Sequence, residues 1–479
     1  MTTMTVAPDP IQAAERTGNE PGALREDTRR RIALGLLASA QFVVMLDTSI
    51  VNVALPSIQS DLGLGATGLT WVINAYILTF GGLLLLFGRL GDLIGRRRMF
   101  IGGSALFTVG TLVAGFAPAA GALVAGRVLQ GAGAAALSPA AMSLLLVMFP
   151  GAARARAMSV WGAASAVGGA TGVLAGGLLS GYLGWSSVFF VTVPVSIAAV
   201  ILARHLLEEA PRAARRRLDG RGALTITGAV VALVHGALGV GEGHLSSPSV
   251  LASLGAAVAL FAAFLAAERR TTDPLVPLGI FRSRILSTGV GLALFGGAAR
   301  ASTFVLVALY LQQGLRMAPQ QAGMAMVPTS VTGFVVSLAL LPRILRAMGP
   351  RRALVLGLVI LASGHLWLAY APLRGYAVAV LPALFAVAVG VALSFTPTTM
   401  VIAAAVPEAH AGLASGLAGS ATQVGSALGT AAFTAIGLAA SGTAADVLAA
   451  GGFTSAFTAA AAVALATALL GATVARKGA

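Results

Sequence analysis

Residues 88–98 read Gly88-Arg-Leu-Gly-Asp92-Leu-Ile-Gly95-Arg-Arg-Arg98 and separate two long apolar stretches of the chain. Glycines permit a tight turn close to neighbouring helices, and the carboxylate of Asp92 stands among cations with which it can make charge-assisted hydrogen bonds. The arginines alone also fit an ordinary basic loop of a membrane protein, because positive charge resists translocation. The segment therefore predicts a short cytoplasmic connection between two membrane-spanning helices.

Similar basic clusters recur along the chain and alternate with loops that carry almost no charge. Of the 31 lysines and arginines, all lie in these clusters except Arg127, Arg300, Arg316 and Arg374. The positive-inside rule places the basic loops in the cytoplasm, so we expect an even number of crossings with both termini cytoplasmic. The preference for arginine over lysine, with abundant alanine and glycine, indicates a GC-rich bacterial genome and hence a bacterial inner membrane.

Long apolar runs separate the loops, and helices of about 20 such residues cross a hydrocarbon core about 30 Å thick. The runs are apolar on all sides, whereas the strands of a membrane barrel alternate. With 57% hydrophobic and 10% charged residues, the chain does not resemble a soluble domain. We predict an all-α polytopic membrane protein with about 14 transmembrane helices, at 32–55, 68–88, 99–117, 121–147, 157–182, 186–206, 222–241, 249–268, 285–311, 320–341, 353–371, 376–402, 412–438 and 451–474.

An internal repeat divides these spans. A shift of 254 residues places Arg89 on Arg343 and Gly95 on Gly349, and a shift of 257 places Gly168 on Gly425. Six spans therefore precede, and six follow, a middle pair that has no counterpart. Two parallel repeats with a site between them at mid-membrane depth are typical of a rocking transporter. Chance matching is the alternative, because the chain contains 60 glycines.

The repeat predicts two pseudo-symmetric halves and an arrangement of 6+2+6 helices. The amino terminus lacks the short apolar core of a signal peptide and is predicted to be disordered. The predicted segments are a disordered cytoplasmic tail at 1–31, a six-helix bundle at 32–206, a linker with two extra helices at 207–284, a second six-helix bundle at 285–474 and a cytoplasmic tail at 475–479.

The spacing of residues 88–98 resembles the signature loop of the major facilitator superfamily. In that family the aspartate latches the two halves together in one conformation, which implies a gating role for Asp92. The resemblance assigns the same loop function to Gly88, Arg89, Gly95 and Arg96. In the second copy Arg346 stands where the first has Asp92, so the latch is predicted to be one-sided.

Further segments resemble the fourteen-helix drug:proton antiporter family. They begin with residues 46–56, which include Asp47 and Asn52, and continue with 127–135, 310–312 and 410–416. The resemblance covers roughly residues 30 to 475, and the middle pair matches the two extra helices of that family. It implies the major facilitator fold and proton-coupled efflux of drug-like or antibiotic molecules by alternating access.

The fifth span departs from the antiporter motif of that family. Gly168, Gly172 and Gly176 recur every four residues and share one helix face, which permits close helix packing. Gly177 completes the motif, but Val173 stands where the family usually has proline. Simple small-residue packing is therefore the alternative to a specific role in antiport.

Three fully ionisable side chains lie well within the spans: Asp47, Arg127 and Arg300. A charge there costs at least about 2.5–3.5 kcal/mol on insertion scales, so each needs a partner or a water-filled cavity. At 1.5 Å per residue, Asp47 and Arg127 both lie roughly 9–12 Å below the outer face, so they can pair or face one cavity. No acidic residue occupies a second-half span, so Arg300 must share Asp47, face water or bind something negative.

These residues define the predicted proton and substrate pathway: Asp47, Asn52, Arg127, Gln130 and Arg300. Asp47 is interpreted as a proton carrier, with a static ion pair as the alternative. By resemblance, Arg127 and Gln130 belong to a motif whose arginine takes part in proton transfer; an arginine that snorkels to the interface is the alternative. One acid and two arginines favour a neutral, zwitterionic or anionic substrate.

His235 and His365 also lie in spans, where a lone histidine more often packs or forms a hydrogen bond between helices than relays protons.

The residues that other functions require are missing from the sequence. The chain has no cysteine, no metal-ligand cluster and no phosphate-binding loop, so we predict no enzyme activity, no metal and no cofactor. The sequence has no basic face with interleaved aromatic residues outside the membrane, so we do not expect it to bind nucleic acid. Contact with anionic lipids explains the basic loops more simply. Small molecules and protons are the expected partners of a monomer. Proton symport into the cell is the main rival, and a channel or a sensor is a weaker one, because the fold alone does not set direction.

Overall fold

The computed structural model describes residues 21–207, 219–241, 246–371, 375–406, 410–441 and 450–475, and these residues form helices and short connections without any strand. The helices of the first half are α1 (Pro21–Leu62), α2 (Ala66–Ile94), α3 (Arg96–Gly115), α4 (Ala120–Met148), α5 (Ala152–Tyr182) and α6 (Ser187–Leu206). The middle pair is α7 (Gly220–Gly241) and α8 (Pro248–Arg270). A short 3₁₀ turn, Leu278–Arg282, precedes the second half.

The second half begins with α9 (Arg284–Leu309), which continues into a π-helical turn, Tyr310–Gly314. Helix α10 consists of Pro319–Ala325, Val327–Val335, the π-helical Val336–Leu340 and the residues up to Gly349, and α11 runs over 350–370. The remaining helices are α12 (Leu381–Ala403, after the π-helical turn Tyr376–Val380), α13 (Ala411–Ser441) and α14 (Ala450–Ala475).

Thirteen described helices are long and apolar enough to cross a membrane, and one of them holds two crossings. The continuous segment Gln321–Tyr370 has 50 residues, or about 75 Å at 1.5 Å per residue, whereas the hydrocarbon core is about 30 Å thick. It breaks at Gly349, whose φ of 74° lies in the left-handed region. Pro350 then starts a new helix, as proline does readily in a first turn. The described residues thus contain the predicted fourteen crossings.

The first helix is longer than predicted. Helix α1 begins at Pro21 and ends at Leu62, so residues 21–31 of the predicted disordered tail are helical. Proline is tolerated at the first helical position, where its missing N–H has no partner in any case. Residues 1–20 lie outside the described part of the chain, as does the predicted carboxyl-terminal tail beyond Ala475, the last residue of α14.

Equivalent glycine contacts relate the two halves. A methyl group on Gly103 of α3 would lie 2.6 Å from the backbone nitrogen of Leu137 in α4, and one on Gly357 of α11 would lie 2.7 Å from the backbone nitrogen of Ser394 in α12. Helices α1 and α5 likewise meet at Gly168, as α9 and α13 meet at Gly425. The glycines that repeat in the sequence therefore make equivalent helix–helix contacts in the two halves.

The middle pair lies beside the seam at which the two halves meet. Gly82 of α2 makes room for Val231 of α7, since a methyl group there would lie 2.7 Å from a valine methyl. A continuous buried apolar cluster joins α2, α7 and α13, and includes Leu85, Val230 and Leu417. The extra helices thus pack on the α2–α13 seam rather than extending either bundle.

Candidate functional site

A cavity of about 660 Å³ lies between the two halves. Its volume suits a drug-sized molecule. Both halves contribute residues to its wall. Most of these residues are apolar and small, and the others include aromatic side chains, amides and hydroxyls. Residues that line it include Asn52, Phe80, Trp161, Arg300, Phe395 and Gln423. Of the predicted pathway residues, the structure places Asn52 and Arg300 on this wall.

Arg300 faces the cavity without a polar partner. Its side chain is only 4% exposed, and within the described chain none of its three guanidinium nitrogens has a hydrogen-bond partner. The guanidinium lies 5.9 Å from the centre of the Phe395 ring, near the limit for a cation–π contact. It folds over Gly296, where a methyl group would lie 2.6 Å from Nη1. Arg300 therefore faces the cavity and does not share Asp47.

Asp47 and Arg127 form a closed polar cluster inside the first half. Arg127 Nη1 donates to Asp47 Oδ2 over 2.6 Å and to Gln130 Oε1 over 2.9 Å, while Gln130 Nε2 donates to Asp47 Oδ1 over 2.9 Å. The guanidinium also lies 4.3 Å from the centre of the Tyr76 ring. All three polar side chains are buried. Of the two arrangements that depth allowed, a pair or a shared cavity, the structure has the pair, and the Gln130 amide bridges it.

Backbone and hydroxyl groups complete this cluster. Arg127 Nε donates to the carbonyl oxygen of Val72 over 3.1 Å, and the Gln130 amide donates to Thr111 Oγ1 over 2.9 Å. The cluster therefore ties α1, α2, α3 and α4 together. Thr111 was not predicted from the sequence, because a threonine in an apolar helix usually bonds to the backbone of its own helix. Thr111 Oγ1 makes such a bond too, to the carbonyl oxygen of Phe107 over 2.8 Å.

The buried cluster and the cavity lie on different faces of α1. Thr48, Ser49 and Asn52 line the cavity, whereas Asp47 is fully buried and does not. Asp47 and Thr48 are adjacent in sequence, and successive helix residues point about 100° apart. The structure thus separates the pathway residues into a cavity pair, Asn52 and Arg300, and a buried cluster.

The glycines of α5 pack against α1 next to Asp47. A methyl group on Gly172 would lie 2.7 Å from the carbonyl oxygen of Leu46, one on Gly168 would lie 2.5 Å from that of Phe42, and one on Gly176 would lie 2.9 Å from that of Ile50. Gly177 is exposed, and a methyl group there would meet only Val53, at 3.9 Å. Three of the four predicted motif glycines therefore set the α1–α5 distance.

Asp92 joins the two halves at the basic end of the α2–α13 seam. Its carboxylate accepts hydrogen bonds from the backbone N–H groups of Gly412 over 2.9 Å and Leu413 over 2.8 Å. These groups open α13, so the carboxylate lies where the helix dipole favours an anion. Arg96 Nη2 donates to the same carboxylate over 3.1 Å. We call this arrangement the Asp92 clasp.

Neighbouring residues of the same loop support the clasp. A methyl group on Gly88 would lie 2.6 Å from the carbonyl oxygen of Gly412, so the glycine allows the two backbones to touch. Arg89 Nη1 lies 3.3 Å from His410 Nδ1. Gly95 adopts a φ of 110° between α2 and α3, a conformation that favours glycine. In the second copy Arg346 is exposed and bonds to Pro342 of its own helix, so the described contacts place the clasp on one side only.

The two intramembrane histidines make hydrogen bonds between helices. His235 Nδ1 of α7 lies 3.0 Å from Ser253 Oγ of α8. His365 Nε2 of α11 lies 2.6 Å from Thr303 Oγ1 of α9, in a fully buried position. Both arrangements fit the structural interpretation of these histidines. The described residues contain no cluster of potential metal ligands.

Comparisons with known proteins agree with this architecture. Residues 37–430 match the family model described as Major Facilitator Superfamily. Among solved structures, the human organic anion transporter MFSD10 superposes with a TM-score of 0.67 at 16% identity, over 92% of this chain and 99% of that one. The POT family transporter PepTSo superposes with a TM-score of 0.63 at 15% identity, over 94% of this chain and 98% of that one. Both likenesses show the fold alone.

Curated relatives of known name share much more of the sequence. The puromycin resistance protein pur8 of Streptomyces alboniger is 37% identical over 88% of this chain and 82% of its own length. The cephamycin export protein CmcT of Amycolatopsis lactamdurans is 35% identical over 86% of each. The tetracenomycin C resistance and export protein of Streptomyces glaucescens is 35% identical over 82% of this chain and 73% of its own.

Proposed function

The chain belongs to the Major Facilitator Superfamily, and from this premise we propose that it exports drug-like or antibiotic molecules across the cell membrane in exchange for protons. Support for export comes from relatives whose names describe antibiotic resistance or export. Support for a carried small molecule comes from the cavity of about 660 Å³ between the halves. We place both termini and the Asp92 clasp on the cytoplasmic side, in line with the basic loops, and treat the transporter as a monomer in contact with anionic lipids.

The observation that carries proton coupling is the closed cluster around Asp47. In the ion pair, the carboxylate balances the charge of Arg127 at 2.6 Å. A proton on Asp47 removes that balance and leaves a buried guanidinium with only neutral partners, which is unfavourable. The cluster must then rearrange. Since Asp47 lies on α1, a shift of the cluster changes the position of that helix.

Helix α1 connects this rearrangement to the substrate. Its other side carries Thr48 and Asn52 on the cavity wall, and the glycines of α5 hold α5 close against it. We propose that α1 and α5 move together when Asp47 gains or loses a proton. Proton and substrate then compete through helix position rather than through a shared side chain.

The Asp92 clasp supplies the gate in this proposal. Two backbone N–H groups and Arg96 hold the carboxylate, and hydrogen bonds to a charged group contribute about 1.5–3 kcal/mol each. The clasp closes the cavity toward the cytoplasm. Its release, as the halves rock, opens the cavity to substrate from inside the cell.

Inverted membrane vesicles test the proposed function. Respiration acidifies their interior, and an added substrate that is exchanged for protons releases them, which a fluorescent pH probe reports. We expect release with at least one of puromycin, cephamycin, tetracenomycin C and lincomycin, the compounds named for relatives, and none in vesicles that lack the protein. Exit of preloaded substrate from the vesicle interior together with protons would indicate symport, and substrate flux without any proton flux would indicate a channel.

Asp47→Asn tests the coupling residue. Asparagine cannot release a proton, so we expect proton release on substrate addition to vanish while equilibrium binding of the substrate persists. Breaking a buried pair costs about 3–5 kcal/mol, so the variant D47N/R127Q, which removes both charges, serves as the control for stability. We expect the double variant to recover thermal stability without recovering proton release; proton-coupled export by D47N would exclude Asp47 as the carrier.

A further inference from the structure

Arg300 carries an unbalanced positive charge on the wall of the cavity. We propose that Arg300 binds an acidic group of the transported molecule, a carboxylate or an ionised phenol or enol, so that the substrates are organic anions or zwitterions. This inference rests on the proposed function in one respect, that the cavity carries the substrate. It narrows the substrate class, which the family and the named relatives leave open.

The charge inventory of the cavity supports an anion. Of the described residues that line the cavity, Arg300 is the one that carries a charge. Asp47, the acidic residue that lies well within a predicted span, already bonds to Arg127 and Gln130. A buried cation without a partner is unfavourable, and a bound anion would satisfy it.

The geometry of the side chain suits a planar acidic group. All three guanidinium nitrogens lack partners among the described residues, so the donor edges of the group remain available. A guanidinium presents its N–H groups as a rigid fork that binds carboxylates in a bidentate manner. Phe304 and Phe395 also line the cavity near it, and their rings offer apolar surface to an aromatic or polycyclic body attached to the acidic group.

The repeat explains why this residue faces the cavity whereas Asp47 does not. Gly172 of α5 contacts Leu46 of α1, and the equivalent Gly429 of α13 contacts Ala298 of α9. Residues of α9 therefore correspond to residues of α1 with an offset of 252. Arg300 then corresponds to Thr48, which lies on the cavity wall, and Ala299 corresponds to Asp47. The second half therefore places its cation at a substrate-facing position and has no acid at the position of the buried one.

Equilibrium binding of two related dyes tests the inference on the purified full chain in detergent. Fluorescein is an anion and rhodamine 123 is a cation, and both contain a xanthene ring system. Fluorescence polarisation therefore measures how the affinity of the protein depends on the charge of ligands of similar shape. We expect fluorescein to bind the unaltered protein, and R300Q to weaken its binding at least tenfold, or about 1.4 kcal/mol. Rhodamine 123 should bind R300Q as well as, or better than, it binds the unaltered protein, because a repelling charge is gone.

Controls separate a binding role from a structural one. R346Q removes an exposed arginine that bonds only within its own helix in the described structure, and it should leave both dyes unaffected. If R300Q does not fold, R300K replaces it: an ammonium lacks the planar fork, so fluorescein should bind at least threefold more weakly and rhodamine 123 equally well.

Three outcomes would overturn the inference. Equal losses for both dyes in R300Q would show a structural role for Arg300, and absence of fluorescein binding to the unaltered protein would show that the cavity does not accept organic anions. Displacement of fluorescein by millimolar chloride or inorganic phosphate would assign the site to a small inorganic anion. These measurements need no proton gradient, so their failure is distinguishable from failure of proton-coupled export.

Discussion

At the scale of single residues, the three intramembrane charges have different environments although they look alike in the sequence. Asp47 and Arg127 neutralise each other at 2.6 Å, whereas Arg300 has no polar partner in the described chain. Depth indicated that Asp47 and Arg127 could pair or face one cavity, because both lie a similar distance from the outer ends of their helices. The orientation of Asp47 away from the cavity could not be predicted, since a helix that is apolar on all sides gives no pattern from which its rotation can be read.

The contrast between the two arginines predicts opposite effects on stability. Arg300→Leu removes a buried charge that nothing balances, so the ligand-free protein should unfold at a higher temperature than the unaltered chain. Arg127→Leu leaves the Asp47 carboxylate buried and unpaired, which costs about 3–5 kcal/mol, so its unfolding temperature should fall. Thermal unfolding in detergent, followed by tryptophan fluorescence, compares the two; a loss of stability in Arg300→Leu would show that Arg300 has a structural partner.

At the scale of helices, the contact between α1 and α5 depends on the absence of side chains at three positions. Their four-residue spacing in the sequence places them on one helix face, and that face contacts α1; the partner helix could not be identified from α5 alone. The structure of helix α10, by contrast, could not be predicted from its sequence. Its division into short segments and the π-helical turn Val336–Leu340 depend on packing in the assembled bundle, and the sequence at 320–341 reads as one continuous apolar run.

A bulky substitution at the centre of the α1–α5 contact should disrupt transport. Gly172→Val places methyl groups against the carbonyl oxygen of Leu46 and the side chain of Ser49, and such overpacking typically costs about 1–3 kcal/mol. We expect export of the identified substrate to be lost, with a reduced unfolding temperature. Gly177→Ala is the matched control, because the added methyl group meets only Val53 at 3.9 Å. Equal export by G172V and G177A would contradict a role for this contact.

At the scale of the whole molecule, the Asp92 clasp joins two similar halves at the basic end of the α2–α13 seam. The repeat predicts two equivalent basic loops, and both are present, but only the first carries the carboxylate that binds the opposite half. The sequence reveals this asymmetry through Arg346 at the position of Asp92. It does not reveal that the partner of Asp92 is the first turn of α13, since backbone N–H groups carry no sequence signal. Nor does it reveal that the middle pair packs along the same seam.

Loss of the clasp should open the cytoplasmic side of the cavity. Asp92→Asn weakens hydrogen bonds to a charged acceptor that contribute about 1.5–3 kcal/mol each, so the open population should rise at least tenfold. The chain contains no cysteine, and a single cysteine introduced at Ser415, on the cavity wall, reports access. In inverted vesicles we expect a membrane-impermeant maleimide to label S415C/D92N much faster than S415C alone. Equal labelling rates would mean that Asp92 does not hold this side closed.

The separation of the buried ion pair from the cavity wall bears on how such a protein evolves. The two sites share no side chain, so mutations can reshape the cavity for a new compound while the Asp47–Arg127–Gln130 contacts stay intact. Changes of substrate spectrum and changes of energy coupling are then separable events. If the proposed coupling by Asp47 holds, a lineage that meets a new antibiotic can adapt by altering the cavity wall while the buried ion pair is inherited unchanged.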